Sequence, residues 1–223
     1  SYNVAIGSSA GAAVTTGTGN TIVGGLAGDA LTTGSYNVAL GTYALSNEDT
    51  GSRNIAIGFN ALASQNYDGN SYNVAMGYNA GTAVTTGTVN TLVGGLAGDA
   101  ITEGHSNVAV GYQALSTNVD GDGNTAIGYS ALFALEPANG YSYNTAVGYN
   151  AGVDMSTGTQ NTLLGADSGK NLTTGTNNVA IGFEALAAED EHSFNVAIGH
   201  RALKTQNAGA SAYNTAVGYN AGL

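Results

Sequence analysis

The chain repeats one hydrophobic pattern, which first appears as Asn-Val-Ala-Ile-Gly at residues 3–7. With each repeat Asn counted as position 0, position +1 is Val, Ile or Thr, and position +3 is always apolar. Position +2 is Ala in ten of the repeats, and Gly follows at +4. This alternation predicts a short β-strand that ends in a turn, with +1 and +3 on the core side and +2 facing the other way.

The repeat covers almost the whole chain of 223 residues. Nine of the intervals between successive repeat asparagines are 17 residues, two are 19 and one is 20. A fixed short period is typical of a solenoid, whose thin core runs from coil to coil. We therefore predict a single domain, residues 1–223, that forms an all-β parallel β-solenoid (β-roll) of about 13 coils, on the order of 60 Å long. The repeat asparagines are Asn3, Asn20, Asn37, Asn54, Asn73, Asn90, Asn107, Asn124, Asn144, Asn161, Asn178, Asn195 and Asn214.

A longer repeat of four coils is superimposed on the short one. Position +8 is Gly in two successive coils and Leu in the next two, and this order recurs through the chain. Coils with Gly at +8 carry an apolar residue at +11, so the second side of the coil is filled in two alternative ways. Three coils place additional residues just before the next Asn, which predicts loops on one edge. The superrepeats span residues 3–72, 73–143 and 144–213, and the predicted loops span residues 67–72, 137–143 and 208–213.

Position +2 needs a covering surface if it faces away from the core. The Ala is replaced there by Ile22, Leu92 and Leu163, which add to the apolar surface. A strand that is apolar on both sides is usually buried on both sides. We therefore predict that parallel rods associate through this side, with a homotrimer as the simplest symmetric arrangement.

The composition excludes several classes of function. Thirty-five glycines, one proline, no tryptophan and a charged fraction of 9% favour short strands and tight turns over helices. The net charge is −11, and the four basic residues, Arg53, Lys170, Arg201 and Lys204, are scattered along the chain. Because phosphate contact needs clustered Lys or Arg, we predict no nucleic-acid partner. No apolar run is long enough for direct membrane insertion by this segment, and the lack of cysteine fits either a reducing cytoplasm or a surface protein.

Recurring polar and aromatic positions are the candidates for binding. The repeat asparagines predict a ladder in which each amide bonds to the copies above and below and to turn backbone groups. Aromatic residues recur at +5 and at −1, and the best stripe, at +5, is Tyr112, Tyr129 and Tyr149. Rings stacked one coil apart form either a packing ladder, which we favour, or a stripe that binds glycans.

No residue pattern predicts catalysis, a metal or a cofactor. Residues 120–124 place oxygen ligands at alternate positions but lack the distant Glu of a calcium loop, so we interpret them as an acidic turn. Residues 189–192, Glu-Asp-Glu-His, are interpreted as a solvated loop. His105, His192 and His200 have no ligand-like spacing. Serines and threonines belong to the repeat, whereas a nucleophile and its base are expected once, out of register.

The phrases at residues 124–132, 144–152 and 178–182 resemble two related repeat families. One is the head repeat of trimeric autotransporter adhesins, a left-handed parallel β-roll. The more similar one is the repeat array of phage-type tail-fibre-domain proteins, which often end in an endosialidase-type intramolecular chaperone that is cut away. The resemblance covers essentially the whole chain, and departs from the adhesin heads in its 17-residue coils and its frequent Thr at +1. It implies left-handed coils, although the general preference for right-handed crossovers points the other way.

Together these features predict a non-enzymatic segment of a longer fibre or adhesin, located outside the cell, on a cell surface or on a virion. The trimeric rod would present a binding tip or attach to a receptor, including a host or matrix glycan. One alternative is a self-assembling filament or surface-layer subunit whose uncapped coils stack end to end. A less favoured alternative is an ice-binding solenoid, suggested by threonine pairs at residues 15–16, 85–86 and 173–174.

Overall fold

The computed structural model describes residues 2–137, 140–207 and 213–223. These residues form one sheet of 13 parallel strands, each three residues long and stacked in chain order, so the predicted all-β solenoid with a 17-residue period is confirmed. The described part of the chain contains no helix. The strands are β1 (Val4–Ile6), β2 (Thr21–Val23), β3 (Val38–Leu40), β4 (Ile55–Ile57), β5 (Val74–Met76), β6 (Thr91–Val93), β7 (Val108–Val110), β8 (Thr125–Ile127), β9 (Thr145–Val147), β10 (Thr162–Leu164), β11 (Val179–Ile181), β12 (Val196–Ile198) and β13 (Thr215–Val217).

Each strand pairs with the same repeat position of the next strand, so equivalent residues form columns along the rod. Ala5 pairs with Ile22, for example, and the register is kept across the 20-residue interval, where Thr125 pairs with Thr145. Within that interval Tyr141 forms a parallel bridge with Asp122 of the coil before it, and residues 138–139 of the second predicted loop lie outside the described residues. In the first long interval, Ser52 forms a parallel bridge with Asn70, and its backbone N–H and carbonyl bond to Gly69 and Ser71. Residues 208–212 of the third predicted loop lie outside the described residues.

The assignment of the two sides of the strand was wrong. In every strand from β2 to β12 the middle residue, at +2, is buried, while the residues at +1 and +3 are exposed or half-buried. The alanine column is therefore the core side, and the larger residues face outward. The cause is the thinness of the coil, since the same interior also holds the buried Ala at +7, the +8 side chain, the +11 side chain and the repeat Asn.

The three large residues at +2 belong to the core and fill space that glycine leaves. Leu92 lies in the same coil as Gly98 and next to the preceding coil, which carries Gly81, and both glycines stand at +8. A Cβ atom on Gly98 would lie 2.8 Å from the Leu92 Cδ2 atom, and one on Gly81 would lie 2.6 Å from its Cδ1 atom. Ile22 and Leu163 are buried at the equivalent places. Ile or Leu at +2 and Leu at +8 are therefore alternative ways to fill one thin interior, which was not predicted, because the sequence analysis placed +2 on the outer side. The predicted apolar residues at +11 of the Gly coils are also in the core, as Leu31 and Ile101 show.

The rest of each coil is a series of turns whose backbone groups also bond to the next coil. Gly28 N–H donates to the Ala44 carbonyl at 2.9 Å, and Leu45 N–H donates to the Ala61 carbonyl at 3.0 Å. The Gly at +4 is required by geometry, because Gly165 has φ +133 and a Cβ there would lie 2.6 Å from the Gly182 carbonyl oxygen. Backbone hydrogen bonds between coils, both in the sheet and in the turns, hold the columns in register along the rod.

Candidate functional site

The outer side of the sheet presents two columns of apolar and Thr side chains along the whole rod. Ile127 is 38% exposed and Leu164 is 46% exposed, although both lie in the middle of the stack. With about 4.8 Å between strands, the columns cover an area on the order of 60 Å by 10 Å. Monomeric soluble proteins rarely leave such a long apolar strip in water, so this outer sheet face is the first candidate for a binding surface.

The predicted tyrosine stripe lies beside the outer sheet face and forms one continuous stack. The Tyr112 and Tyr129 ring centroids are 5.6 Å apart, and those of Tyr129 and Tyr149 are 5.3 Å apart, with nearly parallel planes. All three side chains are exposed, by 47%, 47% and 54%. Because the rings turn their faces to one another, mainly their edges and hydroxyl groups point to solvent. This geometry supports the packing-ladder interpretation, and glycan contact stays a prediction.

Two further stacks occupy the same +5 column. Phe59 stacks on Tyr78 at 5.6 Å. In the last coils His200 lies between Phe183 and Tyr219, with centroid distances of 5.4 and 5.0 Å. The place of His200 was missed because only Tyr and Phe were counted as aromatic, yet it stands at +5 like the others.

The −1 column carries a second set of aromatic contacts at the opposite end of the strands, just before the repeat Asn. The Arg53 guanidinium lies 5.6 Å from the Tyr36 ring centroid and 5.8 Å from the Tyr72 ring centroid, an arrangement that favours the cation electrostatically. Phe194 and Tyr213 stack at 5.2 Å farther along. These rings pack on neighbours one coil away, so they stabilise the stack in the same manner as the +5 rings.

The asparagine ladder is confirmed, with a more specific bonding pattern than predicted. From Asn3 to Asn195, each repeat Asn side-chain oxygen accepts the backbone N–H of the Asn in the next coil, as from Asn124 to Asn107 Oδ1 at 2.9 Å. Most side-chain NH2 groups donate instead to the carbonyl 14 residues farther on, as from Asn107 Nδ2 to Gly121 at 2.7 Å. Direct bonds between the side chains occur at some steps only, such as Asn161 to Asn144 at 3.2 Å. The buried amides are thus structural groups that are not accessible to a ligand.

Position +11 places polar side chains inside several Leu coils, which the sequence reasoning missed. Glu48, Gln65, Asn118 and Glu189 are fully buried there. Glu48 Oε1 accepts the Gly51 N–H at 2.7 Å. Burial raises the pKa of the Glu48 carboxyl, and hydrogen bonds from the Gly51 and Tyr67 backbone oppose that shift. The regular spacing from the repeat Asn was the available signal, because the Gly coils carry apolar core residues at the same position.

The interpretation of residues 189–192 as a solvated loop is wrong for its first residue. The buried Glu189 carboxylate contacts His192 Nδ1 at 2.5 Å and accepts the Gln206 side-chain N–H at 3.0 Å. Ligand atoms of Glu189, Asp190 and His192 lie within 4.8 Å of one another. Since Glu189 occupies a core position and both its oxygens have protein partners, the arrangement is explained by packing and hydrogen bonding.

The acidic turn and the threonine pairs are also engaged in contacts between coils. Asp122 Oδ1 accepts the His105 backbone N–H at 2.6 Å, and within the described residues no third ligand joins it to form a metal site. The first Thr of each pair donates its hydroxyl to a carbonyl of the next coil. These bonds run from Thr15 to Thr32, from Thr85 to Thr102 and from Thr173 to Asp190, at 3.1, 3.2 and 2.9 Å. The hydroxyls therefore bond within the rod, which does not favour an ice-binding lattice.

The basic residues are less scattered in space than along the chain, which corrects the sequence interpretation. The Glu184 carboxylate accepts Arg201 Nε at 2.6 Å and Lys204 Nζ at 2.7 Å. Lys170 and Lys204 line one surface depression of about 250 Å³. Three of the four basic residues therefore lie on one surface of the last coils. This signal was visible, because Lys170 and Lys204 are 34 residues apart, which equals two coils.

No protein-family model, curated protein or solved structure matches the chain. Within the described residues no helix is long and apolar enough to cross a membrane. The similarity to fibre and adhesin repeats therefore stays an expectation based on the residues themselves.

Proposed function

We propose that this chain is a non-enzymatic segment of a fibre or adhesin, in which three copies form a rod outside the cell or on a virion. The rod would present or mediate attachment to a receptor on a cell surface or matrix. The observation that carries this proposal is the outer sheet face, which presents an apolar column at +3 and a column of Val, Ile and Thr at +1 over all 13 strands. The proposed contact surface is thus the outer sheet face, at +1 and +3, and not the alanine side that the sequence analysis predicted.

The length and apolar character of the outer sheet face support association between copies. Its area is roughly 600 Å² before the flanking aromatic rings are included, so each copy of a trimer offers about 300 Å² of sheet to each of two neighbours, and the flanking rings have to add to this to reach the ~800 Å² that each partner contributes to a standard stable interface. Val or Ile at +1 is often replaced by Thr, whereas +3 is apolar in every coil, so the two columns are chemically different. A threefold axis brings the +1 column of one copy against the +3 column of the next and covers both with one repeated contact.

The molecular mass in solution tests the trimer. Light scattering on the folded full chain is expected to give three times the 22.0 kDa of the chain. The mass of a single chain would contradict the proposed trimer. Electron micrographs separate it from its main alternative, since short rods support the fibre segment, whereas long end-to-end threads indicate a self-assembling filament or surface-layer subunit.

A glycan array tests attachment through the tyrosine stack. If Tyr112, Tyr129 and Tyr149 contact the glycan, replacing all three with Ala abolishes array binding. Replacing Phe59 and Tyr78 with Ala is the matched control, because it removes an equivalent stack elsewhere on the rod. Binding that survives the triple replacement excludes the stack as the site, and an array without any signal leaves the rod as a spacer.

A further inference from the structure

We propose that the last complete coils carry a groove that binds a sugar bearing a carboxylate, between Lys170 and Lys204. The inference deepens the proposed attachment function and depends on that function for its biological meaning. The groove lies at positions +6 to +10, on the turns of the coil, so trimer formation through the outer sheet face would leave it open.

The groove arises from one column of the solenoid. Position +9 is Lys170, Ala187 and Lys204 in three successive coils, so the two lysine backbones stand two strand spacings, about 10 Å, apart. The small Ala187 between them leaves a depression of about 250 Å³, with Ala188 beside it. The lysine side chains are 44% and 31% exposed, so both ammonium groups are accessible to a ligand that enters from solvent.

The charges around the groove favour an anion. Glu184 holds Lys204 and Arg201 by hydrogen bonds, and those bonds, from Lys204 first and Arg201 second, lower the pKa of its carboxyl. Lys170 Nζ lies 3.7 Å from the Asp167 carboxylate. Three of the four basic residues of a chain whose net charge is −11 lie here, together with the carboxylates of Asp167 and of Glu184, which also lines the groove. Asp154 lies in the adjacent coil, where its backbone N–H donates to the Lys170 carbonyl at 3.1 Å. Because the remaining surface carries one other basic residue, an anionic ligand meets the least repulsion at this concentration of cations.

The other superrepeats show that this chemistry is not needed for folding. The equivalent +9 column is Asp29, Ser46 and Ala63 in the first superrepeat. In the second it is Asp99, Ser116 and Phe133, and the Ser116 hydroxyl donates to the Asp99 carboxylate. One scaffold therefore carries acidic residues twice and the Lys-Ala-Lys arrangement once. The lysines belong to the variable residues, where recognition is expected.

A sugar fits the shape and lining of the groove better than a drug-sized ligand. The volume is below the ~300–1,000 Å³ of drug-sized sites and suits about one ring. Asn171 and Thr205 supply polar groups on its walls, and the methyl groups of Ala187 and Ala188 supply an apolar floor for C–H groups. Each lysine ammonium is a point charge on a flexible arm, so it can reach an anionic group of the sugar without a fixed two-pronged geometry.

Methyl NMR titration of the full chain tests the groove. The probes are N-acetylneuraminate and glucuronate, with galactose as the neutral sugar and galactose 6-sulfate as the sulfated one. We expect the two carboxylated sugars to shift the Ala187 and Ala188 methyl signals with a Kd in the millimolar range, and 0.5 M salt to weaken binding several-fold. Galactose is expected to leave these signals unchanged, and galactose 6-sulfate to bind at least threefold more weakly.

A matched variant replaces the groove with residues that the same scaffold already accepts. Lys170→Asp, Ala187→Ser and Lys204→Ala together reproduce the first superrepeat, and binding is expected to fall at least tenfold. Arg53→Ala removes one positive charge elsewhere and should leave binding unchanged. Equal binding of all the sugars, binding that survives the triple replacement, or no shift at 50 mM sugar would each overturn the proposal. Light scattering on the same sample separates the sugar-binding groove from the trimeric rod. A trimer that does not bind the sugars rejects only the groove, and a monomer that binds them rejects only the trimeric rod.

Discussion

The two sides of the single sheet differ in burial, and the side with the smaller side chains is the buried one. The inner side carries a column of alanines that is fully buried in β3–β5, β7–β9, β11 and β12, whereas the alanines of the two end strands, β1 and β13, are exposed and half-buried, respectively. The outer side carries Val, Ile, Leu, Met and Thr, which stay exposed or half-buried. The difference teaches that the thickness of the coil decides which side is the core. In most coils a methyl group is all that fits at this position of the thin interior, and the larger groups at +1 and +3 face outward.

Removing the large side chain from the inner side should have the largest effect on stability. Leu92 is fully buried between Gly81 and Gly98, so Leu92→Ala opens a cavity and is expected to cost about 2–5 kcal/mol of unfolding free energy. Chemical denaturation measures the loss. The effect should be several times larger than for truncation of a single outer residue in the separated monomer.

A second substitution tests whether Gly and Leu at +8 are alternatives for the same space. Coil eight combines Ala126 at +2 with Leu132 at +8 and Leu135 at +11, all of them buried. Leu92→Ala with Gly98→Leu reproduces that combination and should recover part of the lost stability. A double variant that is less stable than Leu92→Ala alone would show that the two fillings are not interchangeable.

The asparagine ladder shares the inner side and gives the next largest effect. Asn107→Ala leaves the buried Asn124 N–H and the Gly121 carbonyl without their partners, which should cost about 1–3 kcal/mol. Asn66→Ala is the control, because Asn66 is an exposed asparagine outside the ladder. Thermal unfolding should separate the two variants clearly, and equal melting temperatures would refute a structural role for the ladder.

The buried glutamates show which carboxyl groups the inner side accommodates. The folded-state pKa of Glu48 is raised above its usual 4.5, so its stabilising contribution is complete below that pH and is lost as the pH rises through the folded-state pKa. Glu48→Gln should therefore raise the Tm at pH 7 and have a much smaller effect below pH 4. Gln65 already occupies the same position in the next coil, so the substitution fits the scaffold.

Glu189 provides the opposite control. It stands at the same position but contacts His192 and Gln206, so Glu189→Gln should lower the Tm at pH 7. If both substitutions shifted the Tm in the same direction, local partners would not explain how the two carboxylates are accommodated.

The period, strand type and order of the sheet followed from the sequence because identical phrases stack in register. Which side of the strand faces the core did not follow from the sequence, because Ala and Val are both apolar and their alternation alone does not say which of them is inside. Two signals were available. Positions 0 and +2 share one side of a strand, so a buried Asn107 ladder requires a buried Ala109. Large residues at +2, such as Leu92, also occur only in coils that have Gly at +8.

The candidate surfaces were predictable to different degrees. The Tyr112, Tyr129 and Tyr149 stack followed from its position at +5, but the way the rings face one another needed coordinates. The lysine groove depends on side chains two coils apart, and its depression depends on the small residue between them. A charge count along the chain therefore describes Lys170 and Lys204 as scattered, whereas counting by repeat position brings them together.

Thermal unfolding of two neighbouring aspartate variants, followed by circular dichroism, tests the assignment of the two sides most directly. Ala126 is fully buried and Ile127 is 38% exposed, although the residues are adjacent in β8. We predict that Ala126→Asp, which buries an unpaired charge, abolishes the cooperative β-sheet transition, whereas Ile127→Asp retains a folded coil and loses only the association between copies. A folded Ala126→Asp variant and an unfolded Ile127→Asp variant would contradict the account.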